Sequence, residues 1–565
     1  MKRKNIYLTL FSAATLALAG CSDFLDTKLD TFTTPDRVET DYSTLWSFAN
    51  SFYTPLQYGF TILDNNLFAA ASDEAQQTKA VANVSYFNKG TINANSNPLV
   101  SIYTTYYEGI RAAHFFLDYA QDGESFLALN RDTVGAANIE NRITYERDVR
   151  SLRWYRAEAR VAMAYYYSEL IKMYGGVPIV PATMDKDPDK GSIPRSSYEE
   201  VVDHIVELID SQLDHLQVDW ATHEDNVAAR AGRFDKATAL AIKARALLYA
   251  ASPRNNPGGD PEKWERAARA AHDLIVFRNY TMPQNRNYNA YFTGTGALNN
   301  SESIYLIRKT ASNTLETENY PISTPGGNSG ITPTENLVSA YEYIGPEDPS
   351  DPYANRDPRL EASVVVNGST WNDRVIDQAP GGSDDMNKAN TSRTGYYLKK
   401  FMTDNLNLTQ GGTAQHLWVV YRYAEVLLNY AEAMNEIYGP DEIPSGYTLS
   451  ARQALTQVRN SASTSLPEVT TTDRDAFRKA LKRERQVELA FEDHRYWDLL
   501  RWKDAETVLN QPVQGVKVSR DANGAFVYQV ADVAPRTFLP RNYYMPFSHA
   551  EIVNSKGTLT QNEGY

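Results

Sequence analysis

Three glutamates near the C-terminal end of the chain recur at every fourth residue: Glu484, Glu488 and Glu492. This spacing places all three carboxylates on one face of a helix. Two carboxylates that flank a cleft at a suitable separation can hydrolyse a glycosidic bond. However, Arg485 and Arg495 lie close to the three glutamates in the sequence. The residues therefore indicate a structural ion-pair network rather than a catalytic pair.

Other sequence patterns of catalysis or metal binding are absent. The eight histidines include no H-E-x-x-H pair, and the single cysteine cannot form a Cys/His zinc cluster. His494 is interpreted as a hydrogen-bonded packing residue. The sequence also has no G-x-S-x-G elbow and no G-x-x-x-x-G-K-[ST] loop. We therefore expect a protein that is not an enzyme and that carries no cofactor.

One acidic segment contains hard oxygen donors of the kind that calcium prefers. Its residues are Glu347, Asp348, Asp351 and Asp357. Their spacing follows no known calcium loop, and prolines interrupt the segment. A solvated acidic turn is therefore the favoured interpretation, calcium is the alternative, and no metal site is predicted.

Ligand capture is the chemistry that the remaining polar and aromatic residues can perform. Sugar binding needs aromatic rings that stack on sugar faces, and amide or carboxylate groups that bind hydroxyls. Two parts of the chain supply both kinds of side chain. The predicted ligand-binding residues are Asp73, Tyr86, Phe87, Asn88, Tyr291, Asn319, Tyr320 and Trp371. Ordinary packing is the alternative for each ring, and a ring that binds ligand needs a face open to solvent.

The elements that must position these side chains are mostly helices, because apolar residues recur with the helical period. The predicted helices are Thr105 to Ala120, Leu152 to Tyr174, Val201 to Leu216, Ala237 to Ala251, Trp264 to Phe277, Leu417 to Tyr438, Leu449 to Ser461 and Asp473 to Leu509. Two of them are rich in alanine, which lets paired helices approach closely, as in helical-hairpin repeats.

The interval 279–412 differs from the helical regions on either side, 61–278 and 413–565. Glycine, proline and asparagine are frequent in it, which predicts a loop-rich insertion with short strands. Loops on a rigid helical frame commonly carry the binding residues. We therefore expect ligand binding to concentrate in this insertion.

The first residues have the order of an export signal. Lys2, Arg3 and Lys4 precede an apolar run, and small residues then lead to Cys21. This order predicts a lipoprotein signal peptide over residues 1–20, lipid attachment at Cys21, and an extended tether over residues 21–60. Cleavage would remove three positive charges, so the formal net charge of −14 would become −17. Such a surface disfavours nucleic acid as a partner.

Several segments together resemble the SusD/RagB family of nutrient-binding outer-membrane lipoproteins. The segments that carry the resemblance are Cys21 to Asp26, Arg156 to Arg160 with Tyr174 to Ile179, Arg356 to Leu360, Arg422 to Leu428, Glu484 to Leu499, and Thr560 to Tyr565. They occur in this order over nearly the whole chain. One departure is Asp493, which stands where the family commonly has a glycine.

The resemblance implies a mainly α fold, a tetratricopeptide-like helical hairpin scaffold with a loop-rich ligand-binding insertion. It also implies a lipid-anchored protein of the outer membrane that faces the cell exterior. Its partner would be a SusC-like TonB-dependent transporter, to which it would deliver oligosaccharides. The alternatives are a RagB-like protein that takes up peptides, a glycan-active hydrolase with unrecognised carboxylates, and a structural scaffold without a ligand.

Overall fold

The structure is a computed structural model that describes residues 46–79, 82–120, 132–183, 193–220 and 232–565. The predicted signal peptide and Cys21 lie outside the described residues. The chain forms two compact units: residues up to Ser51 with Phe116–Arg153, and Phe52–Phe115 with Trp154–Tyr565. The second unit contains every side chain discussed below. No helix in the described ranges is both long enough and apolar enough to cross a membrane.

Helices account for 44% of the structure and strands for 11%, so the predicted mainly α fold is confirmed. The longer helices are Val100–Tyr119, Ile139–Tyr174, Tyr198–Asp210, Lys236–Ala251, Pro261–Phe277, Tyr423–Tyr438, Ala451–Ala462 and Arg474–Glu488. The shorter ones are Val84–Asn88, Tyr288–Phe292, Thr314–Asn319, Glu335–Val338, Pro358–Ser363, Arg495–Arg501, Ala505–Val508 and His549–Asn554.

The two alanine-rich helices, which are consecutive in the chain, pack against each other, as the sequence predicts. Lys236–Ala251 packs against Pro261–Phe277, which also contacts Tyr423–Tyr438. Asp260 caps the second of these helices by accepting a hydrogen bond from the backbone of Glu262. Buried alanines line the contact faces and allow the close approach. The pairs form a rigid frame for the loops.

The described strands pair as two-stranded antiparallel sheets. The pairs are Ala75–Gln77 with Ile331–Pro333, Ser303–Arg308 with Leu417–Arg422, Val364–Val365 with Tyr397–Leu398, Thr370–Trp371 with Arg374–Val375, and Val513–Arg520 with Phe526–Ala534. Most of these strands lie in residues 279–412, where short strands are predicted.

Two predicted helices are wrong in part. Residues Leu417–Arg422 form a strand rather than the start of a helix, because all six are buried and pair with Ser303–Arg308. The segment from Asp473 to Leu509 is interrupted after Glu488. Phe491 and Asp493 there have φ values of 65° and 64°, in the left-handed region. A glycine would adopt this conformation without strain.

The predicted tether is also wrong in residues 51–60. Residues Ser51–Tyr53 and Gly59–Thr61 form 3₁₀ turns, and Phe52 and Phe60 are buried. Burying two aromatic rings removes a large apolar area from water, which favours folding over an extended chain. Residues 51–60 therefore belong to the folded protein.

Candidate ligand-binding site

The three glutamates lie in a buried cluster of ion pairs, which we call the charge cluster. Glu488 is fully buried and binds three arginines: Arg286, Arg359 and Arg422. Its carboxylate oxygens lie 2.8 Å from Arg359 Nη1 and 2.6 Å from Arg422 Nη1. Burial alone would raise the pKa of Glu488, but the charges of these arginines lower it well below its usual value.

The other two glutamates extend the charge cluster in both directions along the chain. Glu484 lies 2.6 Å from Arg359 and 2.7 Å from Arg459. Glu492 lies 2.6 Å from Arg422 and 2.7 Å from the ammonium of Lys400. Burial lowers the pKa of Lys400 to about 8, although the charge of Glu492 opposes this shift.

The predicted ion-pair network is therefore confirmed, but its partners are not the sequence neighbours. Arg485 binds Asp498, and Arg495 binds Asp73 through two hydrogen bonds of 2.8 Å. The arginines that bind the glutamates come from segments that are distant in sequence. His494 is buried, and burial lowers its pKa to about 4.

Asp73 is thus an internal ion-pair partner. The predicted binding residues Phe87, Asn319, Tyr291 and Tyr320 are also buried, and Trp371 is only 5% exposed. The expectation of an open ring face is wrong for the four aromatic residues among them.

Each of these buried residues has partners within the fold. The ring of Phe87 packs edge-on against Phe68, and Asn319 exchanges hydrogen bonds of 2.9 and 3.0 Å with Asn66. The hydroxyl of Tyr291 lies 2.9 Å from Ser303 Oγ. The hydroxyl of Tyr320 donates to the carbonyl of Thr403 and accepts from the Leu406 amide. These contacts hold loops together.

Tyr86 and Asn88 are partly exposed on the short helix Val84–Asn88. The Oδ1 atom of Asn88 is buried and has no hydrogen-bond partner. These two residues lie in the early part of the chain, whereas Trp371 lies in the insertion. The structure therefore does not gather the eight predicted residues into one site.

Trp371 lines a cavity of about 930 Å³, which we call the insertion cavity. Its wall combines residues 350–358, residues 364–371, Lys399, and residues 525–528 at the tip of the last hairpin. Four aromatic side chains contribute to the wall: Tyr353, Trp371, Phe526 and Tyr528. The cavity is of the size that drug-sized ligands and short oligosaccharides require.

A tight hairpin positions Trp371 at the cavity. Thr370–Trp371 pairs with Arg374–Val375 through the two-residue loop Asn372–Asp373. The φ values of Asn372 and Asp373 are 51° and 56°, as in a type I′ turn. The indole nitrogen of Trp371 is buried and has no hydrogen-bond partner among the described residues.

The opposite part of the wall comes from the hairpin Val513–Arg520 and Phe526–Ala534. The ring of Tyr528 lies 5.4 Å from that of Tyr353, edge to face, and its hydroxyl accepts a 3.3 Å hydrogen bond from Asn367. Lys399 Nζ lies 5.6 Å from the Trp371 ring. Rings, an amide and a cation therefore converge on one space.

Tyr353, Phe526 and Tyr528 are not among the binding residues predicted from the sequence. The signal for the last two is an Asn523-Gly524 turn between two segments of alternating apolar residues, which is typical of a β-hairpin. That signal indicates the hairpin but not the surface against which its tip packs.

The acidic residues considered for calcium do not converge in the structure. Asp357 is buried against Arg359 at 2.6 Å, and Asp348 accepts a hydrogen bond from Ser350 Oγ. Among the described residues, no group of three or more His, Cys, Asp or Glu side chains is arranged to hold a metal ion.

Two family models match the chain. The SusD family model matches residues 272–565, and a model described as starch-binding associating with outer membrane matches residues 23–248. The chain belongs to the SusD family. The second description places it among carbohydrate-binding proteins that associate with the outer membrane.

Known relatives and solved structures agree with this assignment. A SusD-like protein of Formosa agariphila is 25% identical over 396 residues, which cover 65% of this chain and 69% of the relative. A SusD-like protein of Bacteroides fragilis has a similar structure, with a TM-score of 0.74, 24% identity, and coverage of 94% and 98% of the two chains.

A second Bacteroides fragilis structure, described as a SusD-like carbohydrate binding protein, has a TM-score of 0.72 at 23% identity. The match covers 91% of this chain and 98% of the Bacteroides fragilis chain. At this level of identity the two structures demonstrate the fold, and the predicted SusD-like scaffold is confirmed.

Proposed function

We propose that the mature chain is a non-enzymatic surface lipoprotein that binds extracellular oligosaccharides in the insertion cavity. It delivers them to a SusC-like TonB-dependent transporter in the outer membrane. The lipid on Cys21 anchors it there, facing the cell exterior. No cofactor is required for this function.

The observation that carries the proposal is the composition of the insertion cavity. Aromatic rings can stack on the apolar faces of sugars, and the partly exposed Phe526 and Tyr528 supply them, while the buried ring of Trp371 forms part of the wall. Asn355, Asn367 and Lys399 line the same space and can bind hydroxyls. This pairing of rings with amide and charged groups in a concave site is what a sugar ligand needs.

The charge cluster supports a role without catalysis. Its three glutamates are buried, and each is neutralised by at least two cations. A general acid or nucleophile for glycoside hydrolysis must reach the substrate. These carboxylates are held inside the protein by arginines, so they serve its stability.

The test of ligand class is a titration of the mature chain with a panel of oligosaccharides and peptides. We expect binding to oligosaccharides and, after long incubation, recovery of the ligand without cleavage. Binding to peptides alone would contradict the glycan proposal and favour the RagB-like alternative. Cleavage products would contradict the non-enzymatic role.

Anchoring and the partner are tested separately in cells. Cys21→Ser should leave the protein soluble or uncleaved, because the thioether to the lipid cannot form. Unchanged membrane fractionation of that variant would contradict the anchor. The wild-type protein, extracted in mild detergent, should copurify with a TonB-dependent barrel, and failure to recover one would contradict the delivery role.

A further inference from the structure

A second cavity, of about 950 Å³, is open to solvent at the end of the strand Ser303–Arg308. We call it the basic cavity. The residues that line it are Tyr58, Thr61, Arg308, Lys309, Thr310, Ala311, Ser312 and Gln415. It shares no lining residue with the insertion cavity.

The backbone around the basic cavity is held by the sheet. Arg308 pairs with Leu417 at the end of the two-stranded sheet. Beyond this pair, Ser312 and Ala414 exchange backbone hydrogen bonds of 3.0 and 2.9 Å. Residues 309–311 therefore bulge out between two fixed points. Gln415 Nε2 also donates a 2.7 Å hydrogen bond to the Lys309 carbonyl.

The two cations of the basic cavity lack the acidic partners that most arginines of this protein have. Arg308 and Lys309 are exposed, and no carboxylate among the described residues lies in ion-pair distance of either. No acidic side chain lines the basic cavity. In a chain of formal net charge −14, two adjacent uncompensated cations form a local site of positive potential.

An aromatic ring stands beside these cations. The hydroxyl of Tyr58 donates a 3.1 Å hydrogen bond to the carbonyl of His416, and Phe60 packs edge-on against its ring at 5.1 Å. These contacts hold the ring 5.2 Å from Lys309 Nζ. A fixed ring and the neighbouring hydroxyl group of Thr61 can bind the face and a hydroxyl of a sugar.

We propose that the basic cavity binds the carboxylate or sulfate group of an acidic sugar, so that the ligand is an anionic oligosaccharide. Arg308 forms charge-assisted hydrogen bonds to the anion, Lys309 adds a second positive charge, and Tyr58 stacks on the sugar ring. The strongly negative net charge of the chain disfavours dense polyanions, whereas a ligand with one or two charges is repelled much less. This inference rests on the proposed function, because it names the class of glycan captured.

The test compares the wild type with Arg308→Ala/Lys309→Ala on a glycan array of neutral, uronate-containing and sulfated oligosaccharides. Arg111→Ala/Lys517→Ala is the matched control, since it removes the same charge from two exposed residues outside both cavities. The glycans that bind are then titrated by calorimetry at low and high NaCl concentration.

We expect the wild type to bind glycans that carry a carboxylate or a sulfate, and the array distinguishes the two. The cavity variant should lose about tenfold or more in affinity, while the control variant keeps it. High salt should weaken the wild type and leave the cavity variant nearly unchanged. Binding to neutral glycans alone, or unchanged anionic binding in the cavity variant, would overturn this inference and leave the proposed function standing. Binding to no glycan would overturn both.

Discussion

The charge cluster and the insertion cavity use similar residues in opposite ways. In the charge cluster, Glu488 and its arginines bind each other and are buried from solvent. In the insertion cavity, Phe526, Tyr528 and Lys399 are partly exposed, and none of the ion pairs among the described residues includes Lys399. The polar groups of the first region bind one another, whereas the second is the region that we propose binds the ligand.

This difference explains why Arg359, Arg422 and Glu488, which lie in segments that carry the family resemblance, lie outside the proposed binding site. The signature segments around Arg359, Arg422 and Glu488 come from distant parts of the chain and meet in one buried cluster. Each of these charged residues needs the others, because removal of one leaves an uncompensated buried charge. Ligand-facing residues are not bound by this mutual constraint.

The largest expected effect is on the charge cluster. Glu488→Ala should lower the free energy of unfolding by roughly 3 to 5 kcal/mol, because three buried arginines lose their common partner. Thermal or urea unfolding measures the change. Glu361→Ala, an exposed glutamate at the insertion cavity, is the matched control and should change stability by less than about 0.5 kcal/mol. Equal stability of the two variants would contradict the structural role.

A slightly smaller loss is expected from the ion pair between Arg495 and Asp73. Arg495→Ala should cost roughly 3 kcal/mol, because it leaves a buried carboxylate without its bidentate partner. The charge of Arg495 lowers the pKa of Asp73 against the effect of burial. The double variant with Asp73→Ala should be less destabilised than the sum of the single variants. Simple additivity would mean that the pair is not coupled.

The pH dependence of stability tests the burial of His494. Its folded pKa of about 4 lies below the unfolded value of 6.5, so the folded state binds fewer protons between these values. The contribution of His494 to the free energy of unfolding is therefore fully present above pH 6.5. It decreases by up to roughly 3 kcal/mol as the pH falls to about 4.

The comparison of His494→Gln with the wild type isolates this effect. Asp493, whose pKa burial raises to about 6, gives the opposite pH dependence in both proteins. The variant should therefore lose less stability on acidification than the wild type. Parallel unfolding curves from pH 7 to pH 4 would show that His494 does not titrate in this way.

In the insertion cavity, we expect a smaller change in free energy than in the charge cluster, but a direct effect on ligand binding. Tyr528→Ala should weaken oligosaccharide binding by about tenfold, since a stacking ring contributes roughly 1 to 3 kcal/mol. Tyr86→Ala is the matched control, because Tyr86 is a partly exposed tyrosine of the early segment predicted from the sequence. Calorimetry that shows a loss for Tyr86→Ala alone would move the site to that segment.

The sequence predicts the frame better than the site, and the physical reason differs between the two. Helix periodicity, caps such as Asp260, and the spacing of Glu484, Glu488 and Glu492 depend on near neighbours. These local signals predict most of the helical frame and the presence of an ion-pair network, but not the arginines that bind the glutamates, which come from other segments of the chain.

The site depends on contacts that the sequence does not display. Tyr320 and Asn319 have the residue types of a binding loop, yet they are buried by partners more than 80 residues away. Tyr528 lies beyond the predicted insertion and reaches the cavity only because a hairpin folds back. Trp371 alone among the predicted residues lines the insertion cavity.

The most direct test measures stability and affinity together for Glu488→Ala and Tyr528→Ala, with the same oligosaccharide. We predict that Glu488→Ala lowers the melting temperature. The folded fraction of this variant should keep the ligand preference and the affinity of the wild type. Tyr528→Ala should weaken the affinity by about tenfold and change the melting temperature little. The reverse result, with Glu488→Ala stable but unable to bind or release ligand, would contradict the separation of frame and site.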